Sequence, residues 1–61
     1  MLLKDQLELL HQTQLIKVYL EGNLVTTGKI NKIEDESYLN NKVNYIFSEG
    51  LYSISIEIYQ L

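Results

Sequence analysis

Residues 15–33 read LIKVYLEGNLVTTGKINKI, and this stretch decides the fold class. Apolar and polar side chains alternate along its first half, with Ile16, Val18 and Leu20 on one side and Lys17, Tyr19 and Glu21 on the other. Alternation of this kind, with β-branched residues, predicts a half-buried strand. Gly22-Asn23 predicts a tight turn, so we expect residues 24–33 to return antiparallel to the first strand.

Gly28 lies inside the second predicted strand. Glycine weakens an ordinary strand position, because it adds backbone entropy and offers no side chain for packing. We therefore expect Gly28 to mark a β-bulge or a sharp bend where strands approach closely.

A helix is predicted before the first strand. Leu3, Leu7 and Leu10 recur at helical spacing, and polar residues occupy the remaining positions. The pattern predicts an amphipathic helix over about residues 2–12. It would cover one end of the β structure or dock on a partner as a helix-in-groove element.

The C-terminal half predicts three more strands. A brief element at Tyr38-Leu39 lies between the acidic residues 34–36 and the polar pair Asn40-Asn41, a longer strand covers 43–47, and a last strand covers 51–59. The chain is thus predicted to be mainly β, of the α+β class, with one helix followed by five strands in a single domain over residues 1–61.

Composition limits the function classes. With 61 residues and no cysteine, the core is small and lacks disulfide or thiolate-zinc support, so self-association is the expected remedy. We expect the final strand to form the oligomer edge, through a row of apolar side chains: Tyr52, Ile54, Ile56 and Ile58. The chain shows no export signal and no apolar run long enough for a membrane span, which predicts a cytoplasmic protein that does not contact membranes.

Two sequence motifs resemble those of the Sm-like family, especially its bacterial Hfq-type members. Gly28, Ile30, Ile33 and Glu34 hold the places of the first Sm motif, and residues 45–54 are similar to the second. The resemblance implies a strongly bent five-stranded antiparallel barrel of the Sm/SH3-like kind over about residues 15–60. It also implies an oligomeric ring that contacts RNA.

One departure from the family motif concerns RNA binding. The family's uridine site uses a Tyr-Lys-His run before the last strand, where this chain has Phe47, Ser48 and Glu49. The two basic groups are replaced by a hydroxyl and a carboxylate, which removes charge-assisted bonds to RNA. The resemblance therefore implies a degenerate uridine site.

Nucleic-acid contacts are the best-defined candidate site in the sequence. Five lysines, no arginine and a net charge of −3 argue against strong non-specific binding, although a local site remains compatible with that sum. Tyr19, Tyr38, Tyr45, Phe47 and Tyr52 are possible stacking residues or core residues. The candidate contacts are Lys17, Lys29, Lys32, Tyr19 and Phe47.

No motif predicts catalysis, a cofactor or a metal. The single histidine, His11, has no nucleophile motif around it, and consecutive carboxylates at 34–36 do not converge on an ion unless the loop wraps around it. Two hypotheses follow. The first is a non-enzymatic, oligomeric Sm-like binding module, an RNA-associated regulator with a degenerate uridine site. The second is a small protein-protein interaction module or inhibitor, of the sort that phages and other mobile elements encode.

Overall fold

A computed structural model describes residues 1–61, the whole of the chain. It contains one helix, one 3-10 turn and four strands. Their bounds are α1 Leu3–Glu8, β1 Leu15–Leu20, β2 Asn23–Lys29, the 3-10 turn Ile30–Lys32, β3 Val43–Glu49 and β4 Ser53–Ile58. The prediction of a mainly β chain with a short N-terminal helix is confirmed.

The four strands form one mixed sheet in the order β2-β1-β4-β3. Two antiparallel hairpins, β1–β2 and β3–β4, lie side by side and are joined by parallel pairing of β1 with β4. The sheet is open, with β2 and β3 at its edges. The expected fifth strand and the closed antiparallel barrel are not found.

The missing strand is the short one predicted at Tyr38-Leu39. This segment forms turns instead, with Leu39 N–H bonded to Glu36 O at 3.4 Å and Asn41 N–H bonded to Tyr38 O at 3.1 Å. Backbone groups that bond locally in this way are not available for a ladder, and the polar residues around them favour turns. Tyr38 and Leu39 pack against the core as half-buried side chains.

β4 lies inside the sheet, so the prediction that it forms an exposed oligomer edge is wrong. Its parallel register with β1 pairs Ile16 with Ile54, Val18 with Ile56 and Leu20 with Ile58. Ile56 and Ile58 are buried in the core, whereas Tyr52 lies in the preceding turn and is exposed. Two matching apolar rows are buried best when they are neighbours, which places β4 between β1 and β3.

Helix α1 covers this apolar side of the sheet. Leu3 and Leu7 join Ile16, Val18, Ile56 and Ile58 in a core of six buried hydrophobic residues. The helix ends at Glu8, short of the predicted residue 12. The Gln12 side-chain amide donates to the carbonyl oxygens of Leu7 and Leu10, at 3.5 and 3.4 Å, in place of further helical bonds.

The N-terminal residues are attached to the start of β3. Leu3 N–H bonds to Asn41 O and Val43 N–H bonds to Met1 O, both at 2.8 Å, and Leu2 forms an antiparallel bridge with Lys42. The buried Asn41 side chain donates to Tyr59 O at 2.8 Å, which ties the end of β4 to the same point. The first residues of β3 are therefore paired on both sides.

Gly28 does not lie at a bulge. It pairs with Ile16 in regular register, and the irregularity of the first hairpin falls between Val18 and Tyr19. Gly28 has a φ of +135°, which L-residues rarely adopt. The prediction of a bulge at Gly28 is therefore wrong, and no strand approaches it closely, since a Cβ there would meet only Ile33 Cγ1 at 3.9 Å.

Candidate binding surface

The side of the sheet opposite α1 carries an aromatic and charged surface, which we call the outer face. Side chains alternate along each strand, so the neighbours of the buried isoleucines point away from the core. The registers align Lys17 with Ser55 and Phe47 across β1, β4 and β3, and align Tyr19 with Glu57 and Tyr45 one step further along. The outer face therefore includes Lys17, Tyr19, Tyr45, Phe47, Glu49, Ser55 and Glu57.

Three aromatic rings lie next to one another on the outer face. The ring centroids of Tyr19 and Phe47 are 6.5 Å apart with planes inclined by 26°, and those of Tyr45 and Phe47 are 5.6 Å apart at 32°. These separations are typical of interacting aromatic pairs. Tyr45 is 53% exposed and Phe47 is 40% exposed, so the row offers its apolar area to solvent.

Glu49 organises the polar groups beside this row. The Ser55 hydroxyl and the Tyr19 hydroxyl both donate to Glu49 Oε2, the latter at 3.2 Å, and Lys17 Nζ lies 3.7 Å from Oε1. The hydrogen bond from the buried Ser55 is the largest cause that lowers the pKa of Glu49, and the Lys17 ammonium and the Tyr19 hydroxyl add to the effect. Lys17 is thus partly neutralised by its own chain.

The lowered pKa of Glu49 makes the stability of the fold depend on acid. Such a carboxylate stabilises fully above its ordinary pKa of 4.5 and loses its contribution as the pH falls through the lower folded-state value. We expect the urea midpoint of the parent to fall between about pH 5 and pH 3. Glu49→Gln should unfold at lower urea than the parent at pH 7 and should show a smaller fall over the same interval.

A matched control is Glu8→Gln, which changes an exposed carboxylate on α1. It should keep the full acid-dependent fall. The fall is not expected to vanish in Glu49→Gln, because hydrogen bonds from Ser37 also lower the pKa of Asp35. Equal falls in Glu49→Gln and Glu8→Gln would contradict a structural role for the Glu49 carboxylate.

The structure brings together only part of the predicted nucleic-acid site. Lys17, Tyr19 and Phe47 are neighbours on the outer face, and Tyr45 completes the row. Lys29 lies at the end of β2, beside an open groove of about 560 Å³ that also involves His11 and Tyr52. Lys32 lies in the 3-10 turn and lines a separate groove of about 380 Å³.

Sequence reasoning did not identify Glu49 as the residue that binds Lys17. One available signal was strand alternation, since Glu49 lies two residues beyond Phe47 and hence on the same face. No three histidine, cysteine or acidic side chains lie together in a way that could hold a metal ion. No helix is long and apolar enough to cross a membrane.

The sheet has two edge strands, β2 and β3. Beside β2, the chain returns so that Val25–Thr27 and residues 32–35 line one groove. β3 is covered only at its start, by Met1 and Leu2. Residues 44–48 of β3 are exposed on both faces of the sheet, and none is charged. We call residues 44–48 the open edge.

No known protein family, characterised protein or solved structure matches this chain. A proposal for the function therefore rests on the outer face and the open edge.

Proposed function

We propose that this chain is a non-enzymatic protein-interaction module that binds a polypeptide strand along the open edge of β3. The observation that carries the proposal is the exposed, uncharged run Asn44-Tyr45-Ile46-Phe47-Ser48 at a sheet edge. Proteins usually protect such edges with lysine, proline, a bulge or a covering segment. The run contains no lysine or proline, and its one irregularity is at Asn44, which has no partner on β4 between the paired residues Val43 and Tyr45.

Strand addition suits the chemistry of this edge. An incoming strand would satisfy unpaired backbone groups, and pockets between alternate side chains would give specificity. Tyr45 and Phe47 supply exposed aromatic area on the outer face, and aromatic residues contribute strongly to protein interfaces. A small regulator or inhibitor that acts by docking on another protein needs no more than this.

An RNA-associated function is the second candidate, and it corresponds to the Sm-like module with a degenerate uridine site. Its support is the row of aromatic rings on an open four-stranded sheet, since single-stranded RNA stacks its bases on such rings. Electrostatics weakens it. Glu49 neutralises Lys17, Glu57 aligns with Tyr19, and the net charge of −3 repels phosphate.

A photo-crosslinking amino acid at Tyr45 would separate the two candidates. The tagged protein would be expressed in its native cell, irradiated and purified under denaturing conditions. We expect adducts whose size on a denaturing gel is unchanged by ribonuclease and in which mass spectrometry finds a crosslinked peptide. The control places the same group at Lys4, which is exposed on α1 away from the open edge and should give few adducts.

Each outcome at Tyr45 decides between the hypotheses. Adducts that ribonuclease removes would overturn the proposal in favour of RNA. An absence of adducts at Tyr45 would contradict binding through the open edge to any macromolecule. Adducts of a different protein and adducts of a second copy of this chain would both support protein binding.

A further inference from the structure

We infer that the open edge binds a second copy of this chain, as a two-fold dimer in which β3 pairs antiparallel with β3 of the partner and Ile46 faces Ile46. The inference rests on the surface described under Proposed function and specifies its occupant. It moves self-association from β4, which lies inside the sheet, to the edge strand β3, whose residues 44–48 are exposed.

The available length of the edge limits the register. Val43 N–H is already bonded to Met1 O, so pairing with another strand begins at Asn44. At the other end, the strand stops at Glu49 and Gly50 turns the chain toward β4. Any strand that adds to β3 therefore pairs within residues 44–49.

Symmetry limits the register further. In a continuous sheet, directly paired residues have side chains on the same face. In a two-fold antiparallel pair, the residue numbers of every facing pair add up to the same sum. Because faces alternate along the strand, a residue must face its own copy at the axis. Within residues 44–49, the two registers that pair five residues place the axis between two copies of Ile46 or between two copies of Phe47, whereas an axis at Tyr45 or Ser48 would pair only three.

The register centred on Ile46 pairs similar chemistry. Tyr45 of each copy faces Phe47 of the other on the outer face, which extends the aromatic row across the dimer. The opposite face pairs Ile46 with Ile46, whereas the regular alternation of faces is interrupted at Asn44. Aromatic and β-branched cross-strand pairs are stabilising in antiparallel sheets.

The register centred on Phe47 is less favourable. It would set the Glu49 carboxylate directly opposite Tyr45 of the partner and remove the carboxylate from solvent. Burying a charge without a new cationic partner is costly, and Lys17 is the only cation bonded to Glu49. The register centred on Ile46 leaves Glu49 outside the paired residues.

The dimer is expected to be weak. A stable interface of standard size buries roughly 800 Å² on each partner, about a fifth of the 4185 Å² accessible surface of this chain. About five paired residues on each copy are fewer than the roughly 20–30 residues a side of such an interface. We therefore expect a dissociation constant on the order of 100 µM.

Charge substitution at the symmetry axis gives a sharp test. Sedimentation velocity of the purified protein from about 5 to 500 µM should show a monomer–dimer equilibrium. Ile46→Lys and Ile46→Glu should each weaken self-association at least about tenfold, because like charges then face one another. An equimolar mixture of the two variants should recover a one-to-one dimer.

The matched control is Leu24→Lys, which makes the same kind of change at an apolar residue on the other edge strand. Leu24 is 51% exposed and Ile46 is 42% exposed, so the two sites tolerate lysine similarly. Leu24→Lys should self-associate like the parent. A parent that stays monomeric at all concentrations, or that forms larger open assemblies, would overturn the inference.

Single cysteines test the register without adding charge, since the chain has none of its own. Facing residues in an antiparallel pair have Cα atoms about 4.5–5.5 Å apart, within disulfide range. Ile46→Cys should therefore form a covalent dimer on mild oxidation. Phe47→Cys should not, because in this register the two sulfur-bearing residues lie more than about 7 Å apart.

A covalent dimer of Phe47→Cys but not of Ile46→Cys would overturn the proposed register. These experiments are independent of the crosslinking in cells. A monomeric parent together with adducts of another protein at Tyr45 would reject self-association and leave protein binding intact. Ribonuclease-sensitive adducts together with a stable dimer would reject the proposed protein-binding function in the cell and leave self-association intact.

Discussion

Ile56→Ala should bring the protein close to its unfolding midpoint in water at 25 °C. Ile56 is fully buried on β4 between Val18 of β1 and Ile46 of β3, so removal of its side chain leaves a cavity in the centre of the core. Such truncations cost about 2–5 kcal/mol, and a chain of this size rarely holds more than about 3–5 kcal/mol. Urea unfolding followed by far-UV circular dichroism measures the loss.

The matched control is Ile46→Ala, which removes the same atoms from the cross-strand neighbour of Ile56. Because Ile46 is on the edge strand and partly exposed, its truncation should cost about 1 kcal/mol. The comparison would be made at a concentration where the protein is monomeric. An equal loss in both variants would contradict the placement of β4 inside the sheet.

The identities of the strands were predictable from sequence, but their order was not. The alternation of Ile16, Val18 and Leu20, and that of Ile54, Ile56 and Ile58, predicts which side chains face the core. It does not predict that these two rows are neighbours, because parallel pairing of β1 with β4 depends on contacts between residues far apart in the chain. Both runs fit an edge or an interior position equally well until their partners are known.

The segment between β2 and β3 shows a second limit of prediction from sequence. Tyr38 and Leu39 have the side chains of a strand, and they do reach the core. Their backbone forms local turns instead of a ladder, since the surrounding residues Ser37, Asn40 and Asn41 favour turns. The burial of Tyr38 and Leu39 was therefore predictable. Burial alone does not require that the two residues form a strand.

The sequence predicted the residue types of the candidate site better than it predicted which of these residues lie together. Lys17, Tyr19 and Phe47 were expected to act together, and the outer face does bring them together. Lys29 and Lys32 belong to other surfaces, because the chain leaves the sheet at Ile30. The carboxylate of Glu49 makes this group less suited to RNA, since a lysine that is paired within its own chain is less able to bind phosphate.

Gly28→Ala should destabilise the protein by about 1–3 kcal/mol, through backbone strain and not through steric overlap. A Cβ at this position would meet only Ile33 Cγ1, at the ordinary contact distance of 3.9 Å, so space is available. The φ of +135° is the obstacle, because an alanine there must either remain strained or shift β2 away from β1. Urea unfolding measures the cost.

Asparagine at two glycines separates this strain from a general intolerance of substitution. Gly22 has a φ of +80°, near the left-handed region that asparagine enters readily, and no atom lies near its would-be Cβ. Gly22→Asn should therefore change the free energy of unfolding by less than about 1 kcal/mol. Gly28→Asn should lose at least as much as Gly28→Ala, since +135° lies outside that region. Equal, small losses at both positions would show that β2 readjusts without cost, and the regular pairing of Gly28 with Ile16 would then not depend on glycine.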